Sequence, residues 1–335
     1  MAEGGQVVGD VAAAVGLAEG EAGVRAVIST LARLEPVSIR HVSRTVDLPV
    51  PIVAAVCGEL RKRSIVAEER PARLTPAGRR LFAPGGLELG RGGSCRRCDG
   101  RGIAVPHRLS SLVPELERRI ANAPPLRTDL DQCHCTVDTK LRRVLALHEA
   151  DALVGRRVLL LGDDDLVSVA LEAVIHSFGS SATVAELAVL DVDPGVIRFV
   201  RRELAGAPFP VSCIRHDLRQ PLPPALTGAF DTVATDPPFT VEGAVLFLSR
   251  AADALAGPGA DVLLSFGSKR PGAALAIQRA IADMGLAIRR LVRDFNEYVG
   301  AGVLGGTSHL YHLAATSELR PLVAGRFDGP LYTAD

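Results

Sequence analysis

The pattern of apolar positions divides the chain into a helical N-terminal part and a C-terminal part of alternating short runs. Within residues 150–335, five apolar runs of strand length end in turn-forming or acidic residues and are separated by helix-length segments. Two later runs, 287–295 and 308–315, predict an antiparallel pair at the end of the sheet. This alternation predicts an α/β Rossmann-like domain with a mostly parallel sheet, the plan of class I methyltransferases.

Residues 1–84 predict a winged-helix-like domain that follows a loose tail of about ten residues. The segment 38–82 has the order of a short helix, a turn, a second helix, a hairpin and a closing helix. The second helix begins with Pro51, Ile52 and Val53, whereas a recognition helix needs polar side chains there to reach base edges. We therefore expect this domain to form a homodimer or to cover the substrate, and we expect no binding of nucleic acid.

Four of the six cysteines cluster in residues 85–149, which we interpret as a Cys-rich linker module. Cys95 and Cys98 form a CxxC pair, and Cys133 and Cys135 form a CxC pair. Two close pairs of thiolates can bind one tetrahedral zinc ion, which would stabilise a segment with little core of its own. The sequence favours a structural zinc site, and free or redox-active thiols are the alternative.

Composition and charge are those of an ordinary globular protein, with 47% hydrophobic and 23% charged residues and a formal net charge of zero. No overall field therefore attracts nucleic acid or an acidic membrane. The sequence shows no signal-peptide pattern and no run of about 20 apolar residues that would span a membrane. We expect a cytoplasmic protein without membrane association.

Acidic residues follow four of the five predicted parallel strands. They are Asp163, Asp164 and Asp165 after the first strand, Asp191 and Asp193 after the second, Asp217 after the third and Asp236 after the fourth. Ligands of open α/β sheets bind beyond the carboxyl ends of the strands, so we expect these residues around one site. We assign Asp191 to the hydroxyls of a nucleoside ribose and Asp217 to an adenine amino group. The alternatives are a helix cap at Asp191 or Asp193 and a simple turn at Asp217.

The segment Asp236-Pro237-Pro238-Phe239 is the most specific short motif. Two prolines after a carboxylate make a rigid turn, at which the Asp236 side chain and a backbone carbonyl can both accept hydrogen bonds from an amine. Phe239 supplies a flat apolar wall. The motif occurs in enzymes that methylate amino groups of adenine or glutamine.

The three aspartates after Gly162 oppose an ordinary methyltransferase interpretation. They would repel the carboxylate of S-adenosylmethionine, by about 1 kcal/mol per close pair in water and about 4 kcal/mol in a partly buried site. The same cluster would attract decarboxylated S-adenosylmethionine or a polyamine, which are purely cationic. Some of the three are expected to cap the next helix instead of binding ligand.

The motifs at 162–168, 190–193 and 236–240 and the segment 294–313 together resemble the branched-chain polyamine synthase family, bis(aminopropyl)spermidine synthase. The resemblance spans nearly the whole chain and implies transfer of aminopropyl groups from decarboxylated S-adenosylmethionine to the secondary amine of spermidine, with release of methylthioadenosine. The implied reaction requires no further cofactor for its chemistry. Phe239 stands where the resemblance leads us to expect tyrosine.

The resemblance implies catalytic roles for some of the strand-end aspartates and substrate contacts for other motif residues. The catalytic candidates are Asp163, Asp164, Asp165 and Asp236, and the substrate-binding candidates are Gly162, Asp191, Asp193, Asp217, Pro237, Pro238, Phe239, Asn296 and Tyr298. An aspartate is too weak a base to deprotonate an ammonium, so its expected role is to position the amine and stabilise its developing charge. The alternatives are an S-adenosylmethionine-dependent amino-group methyltransferase on nucleic acid or protein, and a polyamine-sensing DNA-binding regulator.

Overall fold

The chain consists of two compact units in a computed structural model. The first unit comprises Met1–Cys95 with Ala301–Thr307, and the second comprises Arg96–Gly300 with Ser308–Asp335. The structure describes residues 2–82, 95, 98, 100–179, 183–267, 271–299 and 306–333. Within these residues, no helix combines the length and the apolar character needed to cross a membrane.

The first unit contains five helices in its described residues. They are α1 (Ala2–Val15), α2 (Gly20–Leu34), α3 (Ile39–Val46), α4 (Val50–Lys62) and α5 (Pro76–Phe82). Between α4 and α5 the chain folds back on itself, because Val66 and Leu74 form an antiparallel bridge. Within residues 38–82 the order of elements is the predicted one, and the description of this unit as a winged helix stays a prediction.

The expected loose N-terminal tail is wrong. Residues from Ala2 onward form α1, and Val8, Val11 and Ala12 are buried in the core of the first unit. Their spacing of three and four residues gives the helix one apolar face, which packs on the other helices. The same core takes up Val53 of α4, so the apolar start of that helix contributes to folding of the unit.

The second unit contains one sheet of seven strands. They are β1 (Arg157–Leu161), β2 (Glu186–Asp191), β3 (Val211–Arg215), β4 (Thr232–Thr235), β5 (Asp261–Phe266), β6 (Leu286–Glu297) and β7 (Thr307–Ala315), in the order β3-β2-β1-β4-β5-β7-β6. Strands β1 to β5 pair with one another in parallel, and β7 pairs antiparallel with β5. The predicted α/β fold with a mostly parallel sheet and two final strands at one edge is confirmed.

Helices cover both faces of this sheet. They are α6 (Leu112–Ile120), α7 (Val137–Glu149), α8 (Val167–Phe178), α9 (Pro194–Glu203), α10 (Val241–Ala254) and α11 (Pro271–Asp283), with short 3₁₀ turns at His107–Leu109, Thr128–Leu130 and Pro224–Leu226. Alternate residues of β1 enter opposite cores: Val158 packs on the side of α6 to α9, and Leu159 on the side of α10 and α11. Both faces of each strand are therefore apolar, as a covered parallel sheet requires.

The segment before β1 belongs to the same core as the sheet. Leu109, Leu116 and Leu141 are buried in one cluster with Leu160 and Val189 of the central strands. This differs from the expected linker module with little core of its own. The arrangement places α7 directly behind the carboxyl end of β1, where the acidic residues lie.

Candidate active site

A pocket of about 490 Å³ lies beyond the carboxyl ends of β1, β2 and β4. Of the residues predicted for a ligand site, it brings together Asp164, Asp191, Asp236, Pro237, Pro238, Phe239 and Tyr298. Its other walls come from residues that were not predicted for ligand contact: Leu130, Asp131, Gln132, Cys133, Val192, Phe247 and Tyr332. Among the lining residues in the described part of the chain, four are aspartates and none is a lysine, arginine or histidine.

Asp163 is a helix cap. Its Oδ1 accepts the backbone N–H of Val167 at 2.7 Å, and its Oδ2 accepts the hydroxyl of Ser168. Both oxygens thus satisfy the first turn of α8, which would otherwise leave buried N–H donors unpaired. Burial raises the pKa of Asp163 to about 7.

Asp165 points away from the pocket toward α7. Its Oδ2 accepts a hydrogen bond from Nη1 of Arg143 at 2.7 Å, and its Oδ1 accepts the backbone N–H of Cys135. The ammonium of Lys140 donates to the backbone carbonyl of Asp165. Both carboxylate oxygens of Asp165 are therefore engaged by the protein.

Asp164 is the member of the triplet that lines the pocket. Its Oδ2 accepts the backbone N–H of Cys133 at 3.2 Å, and its side chain is partly exposed. Gly162, just before the triplet, has a φ of 73°, a conformation that glycine adopts without strain. The sharp turn at this glycine sends the following aspartates in different directions.

Asp236 lies at the end of β4 and shares its Oδ2 between two donors. Arg143 Nη2 donates at 2.6 Å and the Tyr298 hydroxyl donates at 2.6 Å. The ring of Tyr298 is edge-on to Phe239, with centroids 6.0 Å apart. A carboxylate, a hydroxyl and an apolar wall therefore meet at one side of the pocket.

The two aspartates after β2 have different contacts. Asp191 lines the pocket and accepts backbone N–H groups of Asp163 at 2.9 Å and of Asp193 at 2.7 Å. Each carboxylate oxygen can accept a second hydrogen bond, so ligand hydroxyls can still be bound there. Asp193 caps α9 through the Gly195 N–H at 2.6 Å and lies outside the pocket lining.

Asp217 lies outside the pocket lining in this structure. Its carboxylate accepts three bonds from the Arg219 side chain and one from the Arg219 backbone N–H at 3.0 Å. Burial opposes ionisation, but the bonds from Arg219 lower its pKa. Its assignment to an adenine amino group remains a prediction.

The carboxylates around Arg143 differ in acidity. Burial raises the pKa of Asp164, and the neighbouring carboxylates, Asp165 first among them, raise it further. Burial also raises the pKa of Asp236 to about 7, against the opposing charge of Arg143. Burial has the same tendency at Asp165, but there the charges of Arg143 and Lys140 prevail and lower the pKa. A cationic ligand in the pocket would favour the ionised forms of Asp164 and Asp236.

Arg143 is the main residue that sequence reasoning missed. It lies in α7, is buried, and its Nε donates to Asn296 Oδ1 at 2.8 Å. Asn296 is itself fully buried and supports Arg143 instead of lining the pocket. The only signal in the sequence is the spacing of Lys140 and Arg143, which places both charges on one side of α7 next to apolar Leu141 and Val144.

The described residues do not support the predicted zinc site. Within them, no group of three or more Cys, His, Asp or Glu side chains could hold a metal ion. Cys133 Sγ lies 3.7 Å from the carbonyl oxygen of Val299, whereas Cys135 Sγ accepts a hydrogen bond from Lys140 at 3.6 Å. Burial raises the pKa of both thiols to about 12.

The backbone around Cys133 and Cys135 instead pairs with a segment next to the pocket. The backbone of His134 accepts the Val299 N–H at 2.8 Å, and Thr136 donates to the Glu297 carbonyl at 2.8 Å. Cys135 and Tyr298 thereby form an antiparallel bridge next to the pocket. Of the other two predicted zinc ligands, Cys95 is exposed and Cys98 is partly buried, and neither belongs to a metal-binding group of described residues.

Sequence comparisons place these features in a known group of proteins. Residues 113–317 match the family described as Branched-chain polyamine synthase A C-terminal domain. The N(4)-bis(aminopropyl)spermidine synthase of Thermococcus kodakarensis is 33% identical over 274 residues, which are 79% of this chain and 75% of that protein. An uncharacterized protein of Methanocaldococcus jannaschii is 34% identical over 307 residues, 91% of this chain and 76% of that protein.

A solved structure agrees with the sequence matches. The branched-chain polyamine synthase from Thermus thermophilus, in complex with N4-aminopropylspermidine and 5'-methylthioadenosine, superposes with a TM-score of 0.74 at 26% identity. The superposition covers 98% of this chain and 96% of that chain. With a family match over more than half of its length and relatives above 30% identity, this chain belongs to the branched-chain polyamine synthase family.

Proposed function

We propose that this protein transfers aminopropyl groups from decarboxylated S-adenosylmethionine to the secondary amine of spermidine, giving a branched polyamine and methylthioadenosine. The observation that carries the proposal is the acidic pocket, whose described lining contains four aspartates and no basic side chain. Such a wall favours a substrate that carries only positive charge. The names of the similar proteins, which are spermidine-modifying synthases, support the same substrate class.

The donor is expected to lie across the end of β2. Asp191 has free acceptor capacity toward the ribose hydroxyls, and Val192 and Phe247 offer apolar contacts to the nucleoside. The Asp164 carboxylate faces the region of the donor's aminopropyl end. The carboxylate of ordinary S-adenosylmethionine would meet like charge there, whereas the decarboxylated form brings an ammonium group.

The chemical step is an in-line displacement at the carbon next to the sulfonium. The lone pair of the spermidine secondary amine forms the new C–N bond while the C–S bond breaks, and its electron pair stays on sulfur as neutral methylthioadenosine. The first product nitrogen is a tertiary ammonium, which releases a proton to solvent. A second transfer to the tertiary amine gives a quaternary nitrogen, which has no proton to release.

Asp236 and Asp164 are the residues proposed to act on the acceptor. Each can accept a hydrogen bond from an amine and stabilise the positive charge that grows on nitrogen. The Pro237-Pro238 turn fixes Asp236 at the pocket, and the rings of Phe239 and Tyr298 limit where the amine can lie. The protein therefore contributes position and charge.

The test is a product analysis of the purified protein. Incubated with spermidine and decarboxylated S-adenosylmethionine, it is expected to release one methylthioadenosine per aminopropyl group added, as measured by chromatography and mass spectrometry. With S-adenosylmethionine it is expected to transfer nothing. Methyl transfer from S-adenosylmethionine to nucleic acid or protein would favour the methyltransferase alternative, and DNA binding that depends on spermidine without turnover would favour the regulator.

A variant pair on one strand connects the activity to the pocket. Asp236→Asn removes the carboxylate charge at the carboxyl end of β4 and is expected to lower kcat/KM about 100-fold or more. Asp231→Asn makes the same change at the opposite end of β4, where Asp231 bonds Arg157, and is expected to keep the activity. Equal activity of the two variants would contradict the assignment of Asp236.

A further inference from the structure

Arg143 uses all of its donor nitrogens inside the protein. Nε donates to Asn296 Oδ1 at 2.8 Å, Nη1 to Asp165 Oδ2 at 2.7 Å, and Nη2 to Asp236 Oδ2 at 2.6 Å and to the Tyr298 hydroxyl at 3.1 Å. The side chain is 8% exposed, and those of Asp165 and Asp236 are 4% and 11% exposed. One guanidinium therefore joins the carboxylates of both sequence motifs.

Residues on the side away from the pocket fix the position of the Arg143 guanidinium. The Asn296 amide nitrogen donates to Ser308 Oγ at 2.9 Å and to the His309 carbonyl at 3.3 Å, which turns its oxygen toward Arg143. The hydroxyl of Thr139, one turn before Arg143 in α7, accepts the Glu297 N–H at 3.0 Å. The end of β6 and the helix thus hold Arg143 in one orientation.

The other buried cations of α7 have different partners. Lys140 donates to a backbone carbonyl and to the Cys135 sulfur and touches no carboxylate oxygen in the described residues. Arg142 bonds the Phe295 carbonyl and Asp138 at 2.7 Å. Arg143 is the α7 cation that bonds carboxylates of both motifs.

We propose that Arg143 is a positioning residue that ties the Asp165 carboxylate to the Asp236 carboxylate and leaves Asp164 as the member of the triplet that receives the cationic substrate. The proposal rests on the proposed function, because it names the internal cation of the same acidic site. Arg143 is not itself among the residues that line the described pocket, and it acts through the lining residues Asp236 and Tyr298, which it contacts from behind.

This arrangement has a consequence for pH dependence. The groups that face Asp236 are Arg143 on α7, Asp164 and Asp165 after β1, Tyr298 after β6 and Cys133 before α7. The charge of Arg143 opposes the rise in the Asp236 pKa, and the charge of Asp165 increases it. We therefore expect loss of Arg143 to raise the pH at which Asp236 ionises, and loss of the Asp165 charge to lower it.

The experiment measures spermidine binding by calorimetry and kcat/KM over a pH series, for Arg143→Lys, Arg143→Gln and Asp165→Asn. We expect Arg143→Gln to move the acidic limb of both profiles upward by about one to three pH units, and Asp165→Asn to move it downward. Arg143→Lys keeps the charge but cannot span both carboxylates. The acidic limb of its pH profiles is therefore expected to lie closer to that of the wild type, while its kcat/KM falls about 30-fold or more.

Arg142→Lys is the matched control, since it shortens a buried arginine of the same helix that lies outside the pocket lining. It is expected to lower thermal stability without moving the acidic limb. An unmoved limb in Asp165→Asn, or shifts in the same direction for Arg143→Gln and Asp165→Asn, would overturn the inference. If Arg143→Gln does not fold, Arg143→Lys decides the inference, and a kcat/KM equal to that of the wild type in this variant would overturn it.

The two proposals can fail separately. Absence of methylthioadenosine release by the wild-type protein contradicts the proposed function. The direction of the pH shifts in spermidine binding decides the role of Arg143, because that measurement needs no turnover.

Discussion

At the scale of single residues, three consecutive aspartates with equal intrinsic acidity have three different environments. Asp163 caps α8, Asp164 faces the pocket, and Asp165 pairs with Arg143. The direction of each side chain determines its environment, because the turn at Gly162 and the start of α8 point successive side chains toward different neighbours. The three carboxyls can lie next to one another because burial disfavours the ionised forms of Asp163 and Asp164, whereas the charges of Arg143 and Lys140 stabilise the ionised form of Asp165.

Neutralising Asp164 is expected to separate function from stability. Asp164→Asn should raise KM for spermidine and lower kcat/KM about 10- to 100-fold, because a charged partner of the substrate is lost. The same change should increase stability at neutral pH, since burial and neighbouring carboxylates raise the Asp164 pKa and so disfavour its ionised form in the fold. Steady-state kinetics and urea unfolding measure the two effects.

The control for this prediction is Asp129→Asn. Asp129 pairs with Arg127 at the surface and does not line the pocket. It is expected to leave both KM and stability close to those of the wild type. A loss of activity as large as that of Asp164→Asn would show that the Asp164 effect is not specific to the pocket.

At the scale of elements, the acidic motif after β1 is also the start of a helix. The Val167 N–H and the Ser168 hydroxyl bond the Asp163 carboxylate, so α8 depends on a residue whose sequence context indicated ligand binding. Burial raises the pKa of Asp163 to about 7 from an ordinary value of 3.8. The cap is therefore an ionisable group whose charged form is disfavoured in the folded state.

This shift predicts a pH-dependent stability difference between the wild type and Asp163→Asn. Below pH 3.8 the carboxyl is neutral in both folded and unfolded chains, and its contribution is fully present. As pH rises toward about 7, only the unfolded chain ionises freely, and the wild type loses stability relative to the uncharged variant by up to about 4 kcal/mol. Urea unfolding at several pH values between about 4 and 8 measures this difference. A difference that stays constant over the range would contradict the raised pKa.

Helix α7 contains a buried contact that the pattern of apolar and polar residues cannot predict. The apolar residues Val137, Leu141 and Val144 have helical spacing, and in the structure the hydroxyl of the N-cap Thr136 accepts the Thr139 N–H at 3.2 Å. The same pattern cannot tell that Arg143 is buried, because a cation on a helix is usually at the surface. Its carboxylate partner Asp236 is 93 residues away in sequence. Only the packing of α7 behind β1 brings them together.

At the scale of the whole molecule, the formal net charge of zero conceals an acidic pocket. The arginines that balance these acids lie elsewhere or, as with Arg143, behind the pocket wall. Attraction of a polycation is therefore a local property of the site. The expected homodimer and the winged-helix assignment of the first unit stay predictions.

Local attraction predicts a strong dependence on ionic strength. The dissociation constant of spermidine is expected to rise several-fold when salt increases from about 0.05 to about 0.5 M, because screening shortens the range of the aspartate field. The neutral product methylthioadenosine serves as the matched ligand and is expected to bind almost independently of salt. Calorimetric titrations of both ligands measure this, and equal salt dependence would argue against charge recognition.

Patterns in the sequence were enough to predict the fold class and the meeting of several acidic residues at one edge of the sheet. Apolar runs set the strands, parallel pairing sends their carboxyl ends to one edge, and Asp164, Asp191 and Asp236 follow those ends. These are local features combined with one general rule of α/β sheets, so they can be inferred without coordinates.

The environment of each of these side chains could be learned only from the tertiary structure. It made Asp163 a cap, gave Asp165 to Arg143, and gave Cys133 and Cys135 separate partners where spacing suggested a common metal. Side-chain direction at a turn and burial of a distant helix depend on contacts between segments far apart in sequence. Spacing along the chain does not contain that information.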